Sequence, residues 1–505
     1  MTTPNNQPAP APDLTPNISN VRAHRDGSTA TSEDTMNYDE TPIPRGRIRR
    51  AMPLAGFTAR AAGGRLVAGL REKAGDDGAV ERFHERTAER YTELLGHSKG
   101  VLMKAGQILS MVDARAVGTG GYWPYQKALA RLQADAPPMH PTLVRKVLSD
   151  ELGSAVQHFV EFADEPMAAA SVGQVHRGVL RDGRHVVVKI QYPGVAQAIR
   201  DDLANTELLA TFLRFVTAAS GIKLDVRTLA REAAARIGEE IDYRHEAATI
   251  TTFSELYRGH PFIRIPQVIR EASSDQVLTM TYLDGMDYRA AQQADQDLKN
   301  TWAEVTSRFN LGNYRHANLL HADPHPGNYR FNTDGSVGFL DFGCVQIPPE
   351  KQRWLWVASM RAAAEGRTDD FRDHMIQLGA ITAESPLSTV DLRRWLEETS
   401  YEVTAPQPVT FTPDIIARTV RGFFDIRDSD HFLAQITAPP ELVFTSRITL
   451  ACNSVLTGLQ ATLPIRAVLD DMDGVAQPIT ELGKLHHAWV RERGLPGALD
   501  HHDHP

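Results

Sequence analysis

Two short segments near the middle of the chain limit its fold and chemistry more than any other feature. HADPHPGN covers residues 321–328, and LDFG covers residues 340–343. Asp323 precedes Asn328 by five residues, and Asp341 follows Asn328 by thirteen. An Asp and an Asn at this spacing, followed by DFG, are typical of sites that position a phosphate acceptor and bind Mg²⁺. The two segments therefore predict a kinase-type nucleotide site, with Asp323 as its catalytic loop residue.

A third segment supplies the positive charge that such a site needs. In VVVK, residues 186–189, Lys189 ends a strand-like run from which its ammonium group can reach the α and β phosphates of ATP. The alternative is a solvated lysine on a strand. A carboxylate on a later helix should orient the ammonium group, and EEIDYRHEA offers four acidic residues, namely Glu239, Glu240, Asp242 and Glu246.

Two histidines in the central segment leave a second interpretation open. His321 and His325 stand beside Asp323 and suggest a metal cluster, but we expect these histidines to brace the loop through hydrogen bonds. The histidines near the C-terminus, in LDHHDHP, are interpreted as a solvated tail rather than a metal site.

The chain also departs from ordinary protein kinases. A Gly-rich loop should precede the lysine strand, yet residues 167–176 read MAAASVGQVH. Glycine lets the backbone approach phosphates closely, whereas Ala169, Ala170 and Ser171 restrict this approach. No APE segment follows Gly343, so the usual peptide-docking element is missing. These differences disfavour a Ser/Thr or Tyr protein kinase.

The order of the elements predicts an α+β, two-lobed, protein-kinase-like fold. Strand patterns surround the turn RDG at 181–183, and helical patterns dominate from Asp287 onward. We therefore expect an N-lobe with a small antiparallel sheet at 154–284 and a helical C-lobe at 285–490. A disordered tail is predicted at 1–42, a helical extension at 43–153 and a flexible tail at 491–505.

Composition limits the partners and the location. The net charge of −9 excludes the basic excess that nucleic-acid binding requires. Two widely separated cysteines favour a reducing cytoplasm, and neither a signal peptide nor an apolar run long enough to span a membrane is found. Residues 45–73 mix many arginines with apolar residues at helical spacing. This stretch predicts helices packed on the protein or, alternatively, peripheral contact with the inner face of the membrane.

Taken together, these motifs resemble the UbiB/AarF family of atypical kinases, some of which support coenzyme Q synthesis. The resemblance rests on MKAGQILS, AAASVGQVH, VVVKIQYPGV, EEIDYRHEA, HADPHPGN and LDFG. It implies that Lys104 and Gln107 lie on a helix of the extension that folds over the cleft, and that Glu240 and Asp242 reach toward this helix. It further implies a Lys189–Glu246 ion pair, with Asn328 and Asp341 holding Mg²⁺.

The resemblance also implies ATP or ADP together with Mg²⁺ as cofactors. The nucleotide would contact the Ala-rich loop, the lysine strand and the hinge, through Ala169, Ala170, Ser171, Val187, Lys189, Met280 and Tyr282. Val187 replaces a family alanine and should tighten or shift the adenine pocket. Thr281 replaces a common glutamate at the hinge, which matters less because backbone groups recognise adenine there.

The expected function is an ATPase or atypical kinase that supports isoprenoid-quinone or other lipid metabolism, with a quinone-like or lipid ligand as a partner. An occluding helix leaves little room for a protein substrate. One alternative is a nucleotide-gated protein that binds a hydrophobic ligand with little chemistry. Another is a small-molecule phosphotransferase of the antibiotic-kinase type, against which KAGQ and AAAS argue.

Overall fold

We describe the protein from a computed structural model. The structure describes residues 138–169, 172–203, 237–238, 241–424 and 440–496, with a discontinuous group between 67 and 90. The predicted N-terminal tail, most of the helical extension and most of the C-terminal tail lie outside these residues. So do five predicted site residues, namely Lys104, Gln107, Ala170, Ser171 and Glu240.

An antiparallel sheet precedes most of the helices, as the sequence predicted. Its strand order is β1-β3-β4-β6, and β2 also pairs with β3. The turn at 181–183 joins β3 to β4 in a hairpin in which Val175 is opposite Lys189. Helix α1 begins at Pro141, ends at Leu152 and packs against β4 and β6. The strands are β1 Phe159–Phe162, β2 Ala168–Ala169, β3 Gly173–Leu180, β4 His185–Gln191 and β6 Val277–Thr281.

The two faces of β4 have different environments because side chains alternate along a strand. Val186, Val188 and Ile190 are buried in the core on one face. Val187 and Lys189 point to the opposite face and are only half-buried. The alternation therefore places Lys189 on the same face as Val187, which packs against the core that includes Leu278 and Met280 of β6.

Among the described residues, two helices lie between the hairpin and the return of the chain to the sheet. Helix α2 covers Val195–Leu203, and helix α3 covers Tyr243–Leu256. Asp242 caps α3, because its carboxylate accepts a hydrogen bond from the His245 N–H at 2.9 Å. Strand β5, Ile263–Arg264, then pairs in parallel with a later strand, β9.

The rest of the described chain is mainly helical, again as predicted. The helices are α4 Tyr288–Ala291, α5 Gln296–Ala317, α6 Glu350–Glu365, α7 Thr368–Gln377, α8 Thr389–Thr399, α9 Tyr401–Thr404, α10 Pro413–Phe424, α11 Pro440–Gly458, α12 Ile465–Met472 and α13 Glu481–Arg493. Short strands lie between them, namely β7 Leu320–His321, β8 Tyr329–Phe331, β9 Val337–Phe339, β10 Val345–Gln346, β11 Val409–Thr410 and β12 Thr462–Leu463.

Helix α5 is the centre of the helical region. Its Trp302 and Phe309 are fully buried, and they join a core that also includes Phe253 of α3 and Phe339 of β9. Phe309 and Phe339 stack with their ring centroids 3.6 Å apart. Among the described residues, none of the helices combines the length and apolar character needed to cross a bilayer.

Candidate nucleotide-binding site

Lys189 is held between two carboxylates that come from distant parts of the chain. Its Nζ lies 2.5 Å from Glu246 Oε1 on α3 and 3.2 Å from Asp341 Oδ2 in the DFG segment. The side chains of Lys189 and Glu246 are mostly buried, whereas that of Asp341 remains 37% exposed. The ion pair with Glu246 is present as the sequence predicted, and the contact with Asp341 is an addition.

The charges of this cluster stabilise one another. Burial alone would lower the pKa of Lys189, but the Asp341 and Glu246 carboxylates together raise the pKa above its ordinary value. Burial alone would raise the pKa of Asp341, because it disfavours the charged carboxylate. The Lys189 ammonium group and the Gly343 N–H hydrogen bond outweigh this effect and hold the pKa of Asp341 at about 2. Asp341 is therefore ionised at neutral pH, which metal binding requires.

The loop that follows β7 brings Asp323 and Asn328 together. Asn328 donates from Nδ2 to Asp323 Oδ2 at 3.3 Å. His325 accepts a hydrogen bond from the Gly327 N–H at 3.1 Å through Nδ1 and thereby tightens the turn. Among the described residues, no group of three or more His, Cys, Asp or Glu side chains is arranged to bind a metal ion. The geometry of His325 agrees with the bracing interpretation.

The second histidine connects the two halves of the site. His321 Nε2 donates to the backbone carbonyl of Asp341 at 2.7 Å. Strands β7 and β10 pair directly, with His321 opposite Val345, and the Ala322 N–H donates to the Cys344 carbonyl at 2.9 Å. Asp323 and Asp341 are therefore carried by two segments that are hydrogen-bonded side by side.

The phenylalanine of the DFG segment anchors this arrangement in the core. Phe342 is fully buried, with its ring centroid 4.7 Å from that of Phe253 and 5.4 Å from that of His321. Phe253 lies on α3, the helix that carries Glu246. The same packing thus fixes the positions of α3, the β7 segment and the DFG segment.

The Ala-rich segment begins with a short strand. Ala169 lies in β2 opposite Gln174 of β3. Gly173 permits close packing there, because a Cβ atom at this position would lie 2.3 Å from the Ile190 carbonyl oxygen. Residues 170 and 171, which the sequence assigned to phosphate contact, are outside the described residues.

The predicted adenine contacts lie around the end of β6. Val187 pairs with Met280, and both residues are adjacent to Lys189 in the sheet. The N–H groups of Thr281 and Tyr282 already donate to the carbonyls of Gln267 and His185, each at 2.9 Å. The N–H groups of both hinge residues are thus already paired within the protein.

Besides the contact between Lys189 and Asp341, two further contributions to the site were not predicted from the sequence. The Gly343 N–H donates to Asp341 Oδ1 at 3.0 Å, and Phe253 supports the DFG segment from α3. The DFG motif could have indicated the contact between Gly343 and Asp341, because the Gly343 N–H follows the Asp341 carboxylate by two positions. No local signal distinguishes Phe253 from other apolar residues of α3. Asp242 of the predicted acidic pair caps its own helix, and its predicted partner helix lies outside the described residues.

Comparison with known proteins identifies the domain that contains this site. A family model described as an ABC1 atypical kinase-like domain matches residues 131–374, a range that includes the sheet, α3 and the Asp323 and Asp341 segments. The match confirms the predicted kinase-like fold class.

Several characterised proteins are similar to the chain over this region. It is 33% identical over 340 residues to the rat mitochondrial atypical kinase COQ8B and 31% identical over 316 residues to the yeast mitochondrial atypical kinase COQ8. These alignments cover 65% and 62% of this chain, and the chain spans 62% and 61% of the lengths of these two relatives.

A solved structure agrees with the sequence comparisons. A Mycobacterium tuberculosis protein in complex with erythromycin is 28% identical, with a TM-score of 0.55, over 81% of this chain and 100% of that protein. Residues 131–374 therefore match the ABC1 atypical kinase-like domain, which confirms the family resemblance that the motifs indicated.

Proposed function

We propose that this protein binds Mg-ATP between its sheet and its helices and transfers or hydrolyses the terminal phosphate. The observation that supports this most strongly is the position of Lys189, which contacts both Glu246 and the still accessible Asp341. An ammonium group held by one buried carboxylate, next to a second carboxylate that is partly exposed, suits a triphosphate and its metal ion.

The available donor atoms fit the nucleotide and the metal ion. Mg²⁺ prefers one or two carboxylates and other hard oxygen atoms, and Asp341 and the Asn328 side chain offer these. When bound, Mg-ATP would supply an activated terminal phosphate with part of its charge neutralised by the metal. Lys189 would orient the α and β phosphates, and Glu246 would hold the Lys189 ammonium group in place.

We assign to Asp323 the role of contacting the molecule that accepts the phosphate. The Asp323 carboxylate accepts from Asn328 at 3.3 Å, so it is oriented by the residue proposed to contact the metal. In this position it would align an attacking hydroxyl group or water molecule and accept its proton. Ala169, Ala170 and Ser171 would cover the phosphates, and Val187, Met280 and Tyr282 would surround the adenine.

We further propose a small lipid or quinone-like acceptor rather than a protein. The rat and yeast relatives are named as mitochondrial atypical kinases of the COQ8 type, and the absence of an APE segment removes the usual peptide-docking element. Val67 and Leu70 are exposed apolar residues beside the basic residues of the 45–73 stretch. This pattern favours peripheral contact with an anionic membrane.

An ATPase assay with and without anionic liposomes tests the proposal. We expect Mg²⁺-dependent phosphate release by the wild type and a loss of at least about 100-fold in Asp341→Asn, which removes an electrostatic contact made in the transition state. The matched control is Asp369→Asn, which neutralises an exposed carboxylate on α7 and should keep full activity. Equal turnover in the wild type and Asp341→Asn would contradict the proposal.

A second candidate function rests on the structural comparison. The similar Mycobacterium tuberculosis protein was solved with erythromycin, a large and mainly apolar molecule, which favours a protein that binds a hydrophobic ligand under nucleotide control. Nucleotide binding without any phosphate release, in the presence and absence of liposomes, would select this function over the first.

A further inference from the structure

A cavity of about 190 Å³ lies within the helical region. Its walls come from helices α5, α6, α9, α11 and α12 and are mainly apolar, with Val403 and Leu469 among the buried residues that line it. None of Lys189, Glu246, Asp323 or Asp341 is among the residues that line it. The cavity is therefore distinct from the site described above.

Five buried polar atoms in this apolar wall have no hydrogen-bond partner among the described residues. They are Thr306 Oγ1, Asn310 Oδ1, Arg315 Nη2, Trp356 Nε1 and Glu402 Oε2. Three of these residues are more than nine-tenths buried, with exposures of 1% for Thr306, 3% for Arg315 and 8% for Glu402. Buried polar groups are almost always satisfied, so such a concentration indicates that something else occupies the space.

Water alone does not satisfy this cavity well. A volume of 190 Å³ has room for roughly six water molecules at about 30 Å³ each. Each buried water molecule makes about three hydrogen bonds, and because the apolar wall offers only five unpaired atoms, most of these bonds would have to form between water molecules. A cavity of about 150 Å³ is known to hold a benzene ring, so an organic molecule of similar or slightly larger size fits here.

Glu402 gives the cavity its chemical preference. Burial raises the pKa of Glu402 to about 7, against smaller opposing effects from a backbone hydrogen bond and from the Asn453 side chain. A carboxyl group in such surroundings is stabilised by a neighbouring donor. Trp356 Nε1 and Arg315 Nη2 are donors on the same wall, so a ligand that both donates and accepts a hydrogen bond would satisfy both kinds of group.

We propose that this cavity is a second ligand-binding site, which takes a small, mainly apolar molecule carrying a hydroxyl group directed at Glu402. The site lies next to the segments that carry the nucleotide chemistry. Leu320 of β7 and Gln346 of β10 line it, and these two residues pair with each other one position from His321 and Val345.

Binding of two probe molecules of equal size tests the proposal on the full chain. Benzyl alcohol carries the hydroxyl group, and ethylbenzene replaces that group with a methyl group. The readout is the ¹³C-methyl NMR signal of Met360, which lines the cavity and is assigned among the 12 methionines through Met360→Leu. We expect benzyl alcohol to shift this signal and to bind about tenfold more tightly than ethylbenzene, as one hydrogen bond permits.

Two variants show whether the preference comes from this site. Glu402→Leu replaces a buried carboxyl group whose Oε2 has no partner with an apolar side chain, so it should stay folded and reduce the preference for benzyl alcohol to less than about twofold. Glu402→Gln keeps an acceptor atom and should retain most of the preference. Val403→Phe fills the space and should abolish binding of both probes.

The possible results distinguish the proposed ligand site from a cavity that holds only water and from a site with no preference for a hydroxyl group. Absence of any Met360 shift at saturating benzyl alcohol would show a cavity that holds water only and would overturn the proposal. Equal binding of both probes, unchanged in Glu402→Leu, would also overturn it, because the hydroxyl group would have no role. The readout needs neither nucleotide nor turnover, so the result does not depend on the proposed ATPase function.

Discussion

At the scale of single residues, Lys189 contributes to the stability of the fold and to the proposed nucleotide binding. It contacts Glu246, whose side chain is only 6% exposed, and Asp341, whose side chain is 37% exposed. Breaking a buried ion pair on one side usually costs more than the pair itself contributes, because a charge is left buried without its counterion. The lysine should therefore be required for folding stability as well as for nucleotide binding.

Lys189→Met should lower the free energy of unfolding by about 3 kcal/mol at pH 7.5, because it removes the ammonium group from the buried Glu246 carboxylate. Urea unfolding followed by circular dichroism measures this change. Adding Glu246→Gln to the same chain should recover about 2 kcal/mol, since the buried charge is then gone. Lys146→Met is the matched control. Its pair with Asp150 is exposed, so its effect should stay within about 0.5 kcal/mol. Equal effects at positions 189 and 146 would contradict this account.

At the scale of elements, the start of β3 depends on one close backbone approach. At Gly173 a Cβ atom would meet the carbonyl group of Ile190 in β4, which is backbone and cannot rotate away. The contact lies beside the Ala-rich segment, where β2 and β3 pair. The hairpin and the segment that follows β2 are therefore coupled through this glycine.

Gly173→Ala should destabilise the fold by at least about 2 kcal/mol, because β3 must move away from β4 to accept the methyl group. The control is Gly238→Ala, where the nearest atom would be an ordinary 3.6 Å away, so the change should be neutral or stabilising by up to about 1 kcal/mol. Thermal unfolding of both variants checks the difference. If the two changes have the same effect, the close approach at Gly173 is not limiting.

Helix α13 is joined to α5 by a chain of three buried histidines. His316 Nδ1 lies 2.8 Å from the Pro496 carbonyl, His316 Nε2 lies 3.1 Å from His486 Nε2, and His486 Nδ1 lies 3.1 Å from His260 Nε2. The carbonyl can only accept, so His316 Nδ1 donates and its Nε2 accepts from His486. His486 Nδ1 then accepts from His260, whose Nδ1 accepts from the Ile263 N–H at 3.0 Å. One arrangement of neutral rings satisfies every bond.

An added proton would place two N–H groups against each other in this chain. Burial, together with nearby cationic groups, lowers the pKa of His260 to about 3, and burial lowers that of His316 to about 4. The pKa of His486 is also lowered by burial. In the unfolded chain these histidines titrate near the ordinary value of about 6.5. The unfolded state therefore binds more protons at pH 5.5, and stability falls as the pH drops below about 6.5.

Lowering the pH from 7.5 to 5.5 should cost about 1.4 kcal/mol for each of the three histidines. Urea unfolding at the two pH values measures this loss. His486→Gln removes one titrating ring and should reduce the pH dependence by about that amount. The exposed His185 provides the control, since His185→Gln should leave the pH dependence unchanged. An identical loss in the wild type and His486→Gln would contradict the prediction.

At the scale of the whole molecule, three distant parts of the chain meet at the nucleotide site. Lys189 comes from the sheet, Glu246 from α3 and Asp341 from the segment after β9. A ligand that contacts all of these parts binds the folded state alone. Such binding stabilises the fold by RT ln(1 + [L]/Kd), which is about 2.7 kcal/mol at a concentration 100 times Kd.

We therefore expect Mg-ADP to raise the melting temperature of the full chain by several degrees. The shift should be smaller with ADP and EDTA, because Asp341 and Asn328 are proposed to act through the metal ion. In Asp341→Asn the difference between the magnesium and EDTA samples should disappear. Differential scanning fluorimetry provides the measurement. Identical shifts with and without magnesium in the wild type would rule out a metal ion between these residues and the nucleotide.

The sequence alone predicted the α+β order of the chain and the hairpin around residues 181–183, and its family resemblance implied the pairing of Lys189 with Glu246. These features depend on local periodicity, turn residues and motif spacing, which can be read directly from the amino-acid sequence. The roles of Asp323, Asn328 and Asp341 remain predictions that the ATPase assay tests.

Only the tertiary structure decided which groups outside the motifs support the site. Phe253 meets Phe342, and the three histidines align between α5 and α13, because separate helices pack against one core. The cavity beside Glu402 is likewise formed by five helices that are far apart in the sequence. Motif spacing reports chemistry within one segment, whereas packing between segments depends on the shapes and directions of side chains that no local pattern encodes.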